Sequence, residues 1–231
     1  MDIHKPKSVH SFGELVREIG VIVIGVVIAL AGEQGVEALH WMHEGNEGEA
    51  ALKIAFVREA NNSALRETEN GCIVRRLASL SAIMTRASES GRLPAIDDIG
   101  RPGSTPWTIG VWDALVANQT VSHLPRQKML AWTTIHQRSA FLSTLGDQEE
   151  EQWTILDSMA GAGRRLSDVE AETLRITLAK ASDSNLRTLH TSENLRDAVK
   201  ATGLLDASDF AEAEKRAAKE ALNYAICRAR L

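Results

Sequence analysis

Residues 19–32 read IGVIVIGVVIALAG, a run of fourteen residues without a charged side chain. A helix that crosses a bilayer needs about 20 predominantly apolar residues, so this run alone is short. Apolar side chains continue on both sides and extend the pattern to residues 12–41, which as a helix span about 45 Å. Because that length matches a bilayer with its headgroups, the sequence predicts a transmembrane helix over 12–41.

Basic residues indicate how this helix is oriented. Lys5, Lys7 and Arg17 precede the apolar run, whereas residues 33–52 contain no Lys or Arg. By the positive-inside tendency, residues 1–11 form a cytoplasmic tail and residues 42–231 form a domain on the outer side.

A cleaved signal peptide is the alternative to an anchor. Residues 29–31, Ala-Leu-Ala, satisfy the small-x-small pattern for cleavage after Ala31. Arg17 and Glu18 lie at the end of an unusually long leader, and the helical pattern continues past Ala31 into residues 34–42. These two features favour the anchor, and cleavage stays open.

The predicted anchor carries small residues on one side. At 100° per residue, Gly25, Ala29 and Gly32 share a face, and Glu18 and Glu33 lie near its two ends. Small residues let two membrane helices approach closely, so this face predicts packing within an oligomer or against another membrane protein. The alternative is that both carboxylates lie at headgroup level and have no packing role.

Residues 4–41 read HKPKSVHSFGELVREIGVIVIGVVIALAGEQGVEALHW. This stretch resembles the opening of a family of uncharacterised bacterial single-pass membrane proteins, with a basic HKPK-type leader, an EIG-x-IVIGV-x-IAL core and a following EQ. Residues 112–125, WDALVANQTVSHLP, show a weaker similarity to the same family. The resemblance implies a bacterial inner-membrane protein with a periplasmic domain, and it implies no activity.

The composition of the 231-residue chain predicts an all-α fold. Aromatic residues make up 4%, and β-branched residues outside the anchor are scattered among frequent Ala and Leu. We expect the anchor to continue into a bundle of five or six helices. The net charge of −5 and the lack of a basic patch argue against nucleic acid as a partner.

Residues typical of helix starts, turns and loops predict where the helices of the domain begin and end. The predicted breaks are a turn at Asn70-Gly71, a loop over residues 91–106 and an interruption or kink at Gly146-Asp147. The predicted helix starts are Cys72, Thr105 with Pro106, Pro125, Ser167 with Glu170, and Asp206 or Ser208.

Few side chains suggest chemistry. Cys72 and Cys227 can form a disulfide in an oxidising compartment, and two free buried thiols are the alternative. Trp107 and Trp112 are either core residues or the walls of a pocket. The acidic run at residues 147–151, DQEEE, is typical of a solvated helix face.

Four residues near the anchor resemble part of a metal site. Glu37, His40, His43 and Glu44 lie on adjacent helical turns, but a di-iron carboxylate site needs a second Glu-x-x-His pair, which the sequence lacks. A solvated rim at the membrane interface fits these residues better. We therefore predict no catalytic, cofactor-binding or metal-binding residues.

Three classes of function remain. The first is a membrane-anchored interaction or scaffold protein that binds the bilayer and either another envelope protein or a second copy of itself. The second is a ligand sensor that acts through a partner, because a cytoplasmic tail of at most 18 residues is too short for a transmitter domain. The third is an enzyme, for which scattered His and Glu residues are the only support.

Overall fold

A computed structural model of the protein describes residues 12–228. The predicted cytoplasmic tail, residues 1–11, lies outside the described part of the chain. The chain divides into two compact units, residues 1–47 and residues 48–231.

The all-α prediction is confirmed. The described chain contains six α-helices and one two-stranded antiparallel ladder. In chain order the elements are α1 (Phe12–Ser90), β1 (Arg92–Leu93), α2 (Gly110–Ala117), α3 (Arg126–Leu156), β2 (Arg164–Arg165), α4 (Asp168–Ala201), α5 (Ala207–Ala221) and α6 (Ala225–Arg228). Short 3₁₀ helices cover Thr120–His123 and Asp157–Met159.

Two predicted interruptions are wrong. Helix α1 runs through Asn70 and Gly71 without a turn, and α3 runs through Gly146 and Asp147 without an interruption. At Asn70 the side-chain oxygen accepts a hydrogen bond from Asn185 Nδ2 at 2.9 Å. This tertiary bond holds Asn70 within the helix and outweighs its local preference for a turn.

The predicted helix start at Thr105 is also wrong, because α2 begins at Gly110. The Pro106 carbonyl accepts a hydrogen bond from Asn62 Nδ2 at 3.0 Å, and the Thr108 carbonyl accepts one from Arg58. Both carbonyls are therefore bonded to α1 side chains and not to the amides of a following helical turn.

Other helix starts agree with the sequence. The Ser167 hydroxyl accepts from the Glu170 amide at the start of α4. Asp206 caps α5 and forms a capping box with Asp209, and Pro125 directly precedes α3. A side-chain oxygen at the N-cap satisfies amides that have no partner inside the helix, which is why these starts can be read locally.

The predicted loop at residues 91–106 holds the short ladder. Strand β1 pairs antiparallel with β2, with Arg92 opposite Arg165. Ile96 and Gly161 exchange backbone hydrogen bonds of 2.9 and 2.7 Å. The loop is therefore tied to the segment that joins α3 to α4.

Residues 48–228 contain two large apolar clusters. One includes Ile73, Leu80, Trp153, Leu156 and Leu174, and the other includes Leu52, Phe56, Trp132, Leu142 and Leu195. Between the two clusters along α1, α3 and α4, and at Glu59 and Ser139 within the second, lie buried polar residues. We call these residues the polar layer: Glu59, Ser63, Arg66, Glu69, Ser139, Glu149, Ser184, Asn185, Thr188 and Ser192.

A smaller alanine-rich contact holds α5. Ala213, Ala217 and Ala221 recur every four residues on α5 and pack against Ala64 and Leu65 of α1. Small side chains at this spacing form one face of a helix, so α5 can approach α1 closely.

Candidate functional site

A buried ion pair lies at the centre of the polar layer. Arg66 is 5% exposed and donates to both carboxylate oxygens of Glu149, each at 2.8 Å. The guanidinium also donates to Asn185 Oδ1 at 2.7 Å, and Asn185 bonds Asn70 in turn. This chain of hydrogen bonds connects α1, α3 and α4, and it pairs the two buried charges with each other.

Glu69 and Glu59 are two further buried carboxyl groups on α1. Burial raises the pKa of Glu69 to about 7, although the Gly103 amide donates to its Oε1 at 2.8 Å and Arg66 lies nearby. Burial likewise raises the pKa of Glu59 to about 7. The Ser139 hydroxyl donates to Glu59 Oε2 at 3.4 Å, and Arg58 Nε lies 3.7 Å from Oε1.

Residues 101–108, which we call the strap, are irregular chain fixed at several points. At one end Arg101 donates to Asp157 at 2.6 Å and to Glu150 at 3.0 Å. The Gly103 amide bonds Glu69, and the Pro106 and Thr108 carbonyls accept from α1. A Cβ atom at Gly103 would lie 2.4 Å from the Tyr224 ring, so a larger residue here would displace that ring.

A cavity of about 280 Å³ lies beside the strap. The strap forms one wall, and Arg66 of α1, Gly146 and Trp153 of α3 and Thr188 of α4 contribute to the others. Three buried atoms of these side chains, Arg66 Nε, Trp153 Nε1 and Thr188 Oγ1, have no hydrogen-bond partner among the described residues. Unsatisfied buried polar atoms are rare in folded proteins, so this cavity is the candidate binding site of residues 48–228.

Trp107 and Trp112 are both buried in the same apolar cluster, as the core interpretation predicts. Trp107 also lines the cavity, and Trp112 lies 6.3 Å from the His136 ring, centroid to centroid. The interpretation of residues 147–151 as a solvated face is wrong for Glu149, because its carboxylate is bonded to Arg66 in the interior.

In residues 12–47, the five predicted packing residues lie on α1. Gly25, Ala29, Gly32, Glu18 and Glu33 are all exposed. A Cβ atom added at Gly25 or Gly32 would meet no atom within 4 Å, so the small-residue face is open. Within the described chain, α1 is the one helix that is long and apolar enough to span a membrane.

The candidate metal residues near the anchor make other contacts. Glu37 accepts from Trp41 Nε1 at 3.3 Å, and His43 lies 3.2 Å from Glu47. Among residues 12–228, no group of three or more His, Cys, Asp or Glu side chains is arranged to hold a metal ion.

Cys72 and Cys227 lie at bonding distance, with their sulfur atoms 2.08 Å apart. The pair links the middle of α1 to α6, across 155 residues of sequence. We predict that the intact protein, purified without reductant, weighs two hydrogen atoms less than the reduced protein. Alkylation of both cysteines without prior reduction would contradict this prediction.

The residues of the buried network were not predicted from the sequence. A signal for them exists on α1, where Glu59, Ser63, Arg66 and Asn70 continue at helical spacing the face begun by Leu52 and Phe56. Because charged residues mostly face solvent, the pattern alone does not distinguish a buried charged face from an exposed one.

Comparison with models of known protein families, with curated proteins and with solved structures finds no match to this chain. Two features of its own structure bear on function. One is the exposed apolar segment of α1 in residues 12–47, and the other is the polar layer with its cavity in residues 48–228.

Proposed function

We propose that this protein is a single-pass inner-membrane protein whose periplasmic helical domain serves as an interaction or scaffold module. The observation that carries the proposal is an 18-residue apolar window in α1, none of which is buried within the described chain. Apolar surface of this extent needs a partner, and a lipid bilayer supplies one along the whole window.

Charge and cysteine chemistry support the orientation. Lys5, Lys7 and Arg17 favour a cytoplasmic N-terminus. A disulfide between Cys72 and Cys227 is suited to the oxidising periplasm, where such bonds form and persist. The resemblance of residues 4–41 to bacterial single-pass membrane proteins agrees with both. The mass measurement on the cysteines also tests the anchor, because cleavage after Ala31 would remove residues 1–31 from the measured mass.

The interaction role is supported by the open small-residue face. Gly25, Ala29 and Gly32 leave room for a second helix to approach the α1 backbone. A partner packed there would also shelter Glu18 and Glu33 from lipid, where a carboxylate is costly. The partner is either another membrane protein or a second copy of this chain.

The face can be tested by crosslinking in native membranes. A photoreactive residue at Val36, on the same face, is expected to capture a partner in the wild-type background. Replacing both Gly25 and Gly32 with Leu fills the face and is expected to abolish the crosslink, because the backbones can no longer approach. Gly20→Leu is the matched control, since Gly20 lies on the opposite side and its added side chain also meets open space.

Crosslinking that survives in the double variant would refute the packing face. An absence of any crosslink in the wild-type background would refute a partner at this position. Capture of a second copy and capture of another protein are distinguished by the mass of the crosslinked product.

A further inference from the structure

We propose that the cavity beside the strap binds a small organic cation, an amine or quaternary ammonium compound that also carries a hydrogen-bond acceptor. This inference is independent of the proposed membrane role. It concerns residues 48–228 alone, and it rests on the charge, the aromatic side chains, the unpaired donors and the helical Gly146 that line the cavity.

The charged residues of the lining favour a cation. They are Arg66, Asp147, Glu149 and Glu150. The charge of Arg66 is matched by Glu149, and Glu150 is bonded to Arg101 of the strap. Asp147 is exposed and forms no ion pair with any residue between 12 and 228, so one carboxylate charge of the lining is balanced only by solvent. This charge, although screened by water, favours a cation over an anion as the ligand.

Two indole side chains line the same space. Trp107 and Trp153 are 4% and 1% exposed. Indole attracts cations more strongly than the other aromatic side chains, and this attraction increases when water is excluded. Aromatic side chains that surround a ligand are a common means of recognising quaternary ammonium groups in proteins.

The unpaired donors indicate the second chemical feature of the ligand. Arg66 Nε and Trp153 Nε1 can only donate, and Thr188 Oγ1 can donate or accept. Each lacks a partner among the described residues, and an unsatisfied buried donor costs folding free energy. A hydroxyl or carbonyl oxygen on the ligand would provide an acceptor after small side-chain adjustments.

Gly146 helps to keep the cavity open. It lies in the interior of α3, where glycine is less favourable than alanine. An added Cβ atom would meet nothing within 4 Å, so no group of the described chain requires glycine here. A side chain at residue 146 would instead narrow the cavity that it lines. The volume of about 280 Å³ is near the lower end of ligand pockets, which suits a small molecule.

The test is calorimetric titration of the full chain in mild detergent. The probes are choline, ethanolamine, and 3,3-dimethylbutan-1-ol, the uncharged isostere of choline. We expect choline or ethanolamine to bind. If choline binds, the neutral isostere is expected to bind at least about tenfold more weakly, because an uncharged molecule is not attracted to the carboxylates and indoles. Sodium acetate is expected not to bind.

Two glycine variants locate the binding. Gly146→Leu places a side chain in the cavity and is expected to weaken cation binding by about tenfold or more. Gly71→Leu is the control, because Gly71 is also an interior helical glycine but is exposed on α1 and lines no described cavity. Circular dichroism and thermal melts establish that both variants fold before they are titrated.

Binding of neither cation at millimolar concentration would overturn the proposal. Equal binding of the neutral isostere or binding of acetate would overturn the charge argument on which it rests. Unchanged affinity in folded Gly146→Leu would place the ligand elsewhere and would also overturn it.

Discussion

Replacing Arg66 with methionine is expected to lower the free energy of unfolding by about 3–5 kcal/mol. The substitution leaves the carboxylate of Glu149 buried, with a side chain 9% exposed and both of its described hydrogen bonds lost. It also removes the donor to Asn185 Oδ1. The cost therefore comes mainly from an unpaired buried charge and less from the attraction that is lost.

A double-mutant cycle separates these two contributions. Adding Glu149→Leu to Arg66→Met removes the unpaired charge, so we expect the double variant to recover most of the lost stability. The measurement is urea unfolding of the full chain in detergent, followed by tryptophan fluorescence, because Trp153 lies close to the network.

The matched control is an exposed arginine pair. Arg175 bonds Glu172 one turn away, with side chains 59% and 55% exposed. Arg175→Met is expected to change stability by less than about 1 kcal/mol, since both charges remain hydrated. An effect of Arg66→Met as small as that of Arg175→Met would show that Glu149 reaches water and that the pair is not a buried one.

The sequence predicted those parts of the fold that depend on local interactions. The caps at Ser167 and Asp206 and the start of α3 after Pro125 use side chains or backbone restrictions close in the chain. The apolar run of α1 is equally local. Such features can be predicted without knowing which residues pack against them.

The errors occur where distant residues decide the conformation. At Asn70-Gly71 the local turn preference is opposed by the bond from Asn185, which is 115 residues away in sequence. The start of α2 is displaced to Gly110 because Arg58 and Asn62 bind the preceding carbonyls. Neither contact has a signature in the neighbouring residues.

The candidate site was predicted least well, for the same reason. Trp107 was named as a potential pocket residue, but Arg66 and Glu149 were not, because each resembles an ordinary surface charge in its own helix. Their burial depends on the matching of one residue in α1 with another 83 positions later in α3. The cysteine pair was easier to predict, because a chain with two cysteines allows a single intramolecular pairing.

Polar residues of α1, inside and beside the polar layer, also explain why the strap lies where it does. The buried Glu69 binds the Gly103 amide, and Arg58 and Asn62, which are not fully buried, bind carbonyls at the other end of the strap. A purely apolar face on α1 would offer no partners for these backbone groups, which would then need water. These polar side chains of α1 therefore fix the strap, and the strap in turn forms a wall of the cavity.

Raising the pH from about 5 to 8 is expected to destabilise the domain through Glu59 and Glu69. Burial raises the pKa of each from 4.5 to about 7 in the folded state. Because the folded pKa lies above the unfolded one, the stabilising contribution is fully present below about pH 4.5 and is lost as the pH rises through 7. A shift of this size corresponds to about 3 kcal/mol for each carboxyl group.

Glutamine variants identify the groups responsible. Glu59→Gln and Glu69→Gln keep an oxygen that accepts from Ser139 or Gly103, but they cannot ionise. Near pH 5 the free energy of unfolding of each variant is expected to match that of the wild type. At pH 8 each variant is expected to be more stable than the wild type, by up to about 3 kcal/mol, so that its stability falls less as the pH rises. The exposed Glu151→Gln is the control and should leave the wild-type pH dependence unchanged. The measurement is urea unfolding of the wild type and the three variants between pH 5 and 8. A wild-type stability that rises over this range, with the same pH dependence in both buried variants, would contradict the role of Glu59 and Glu69.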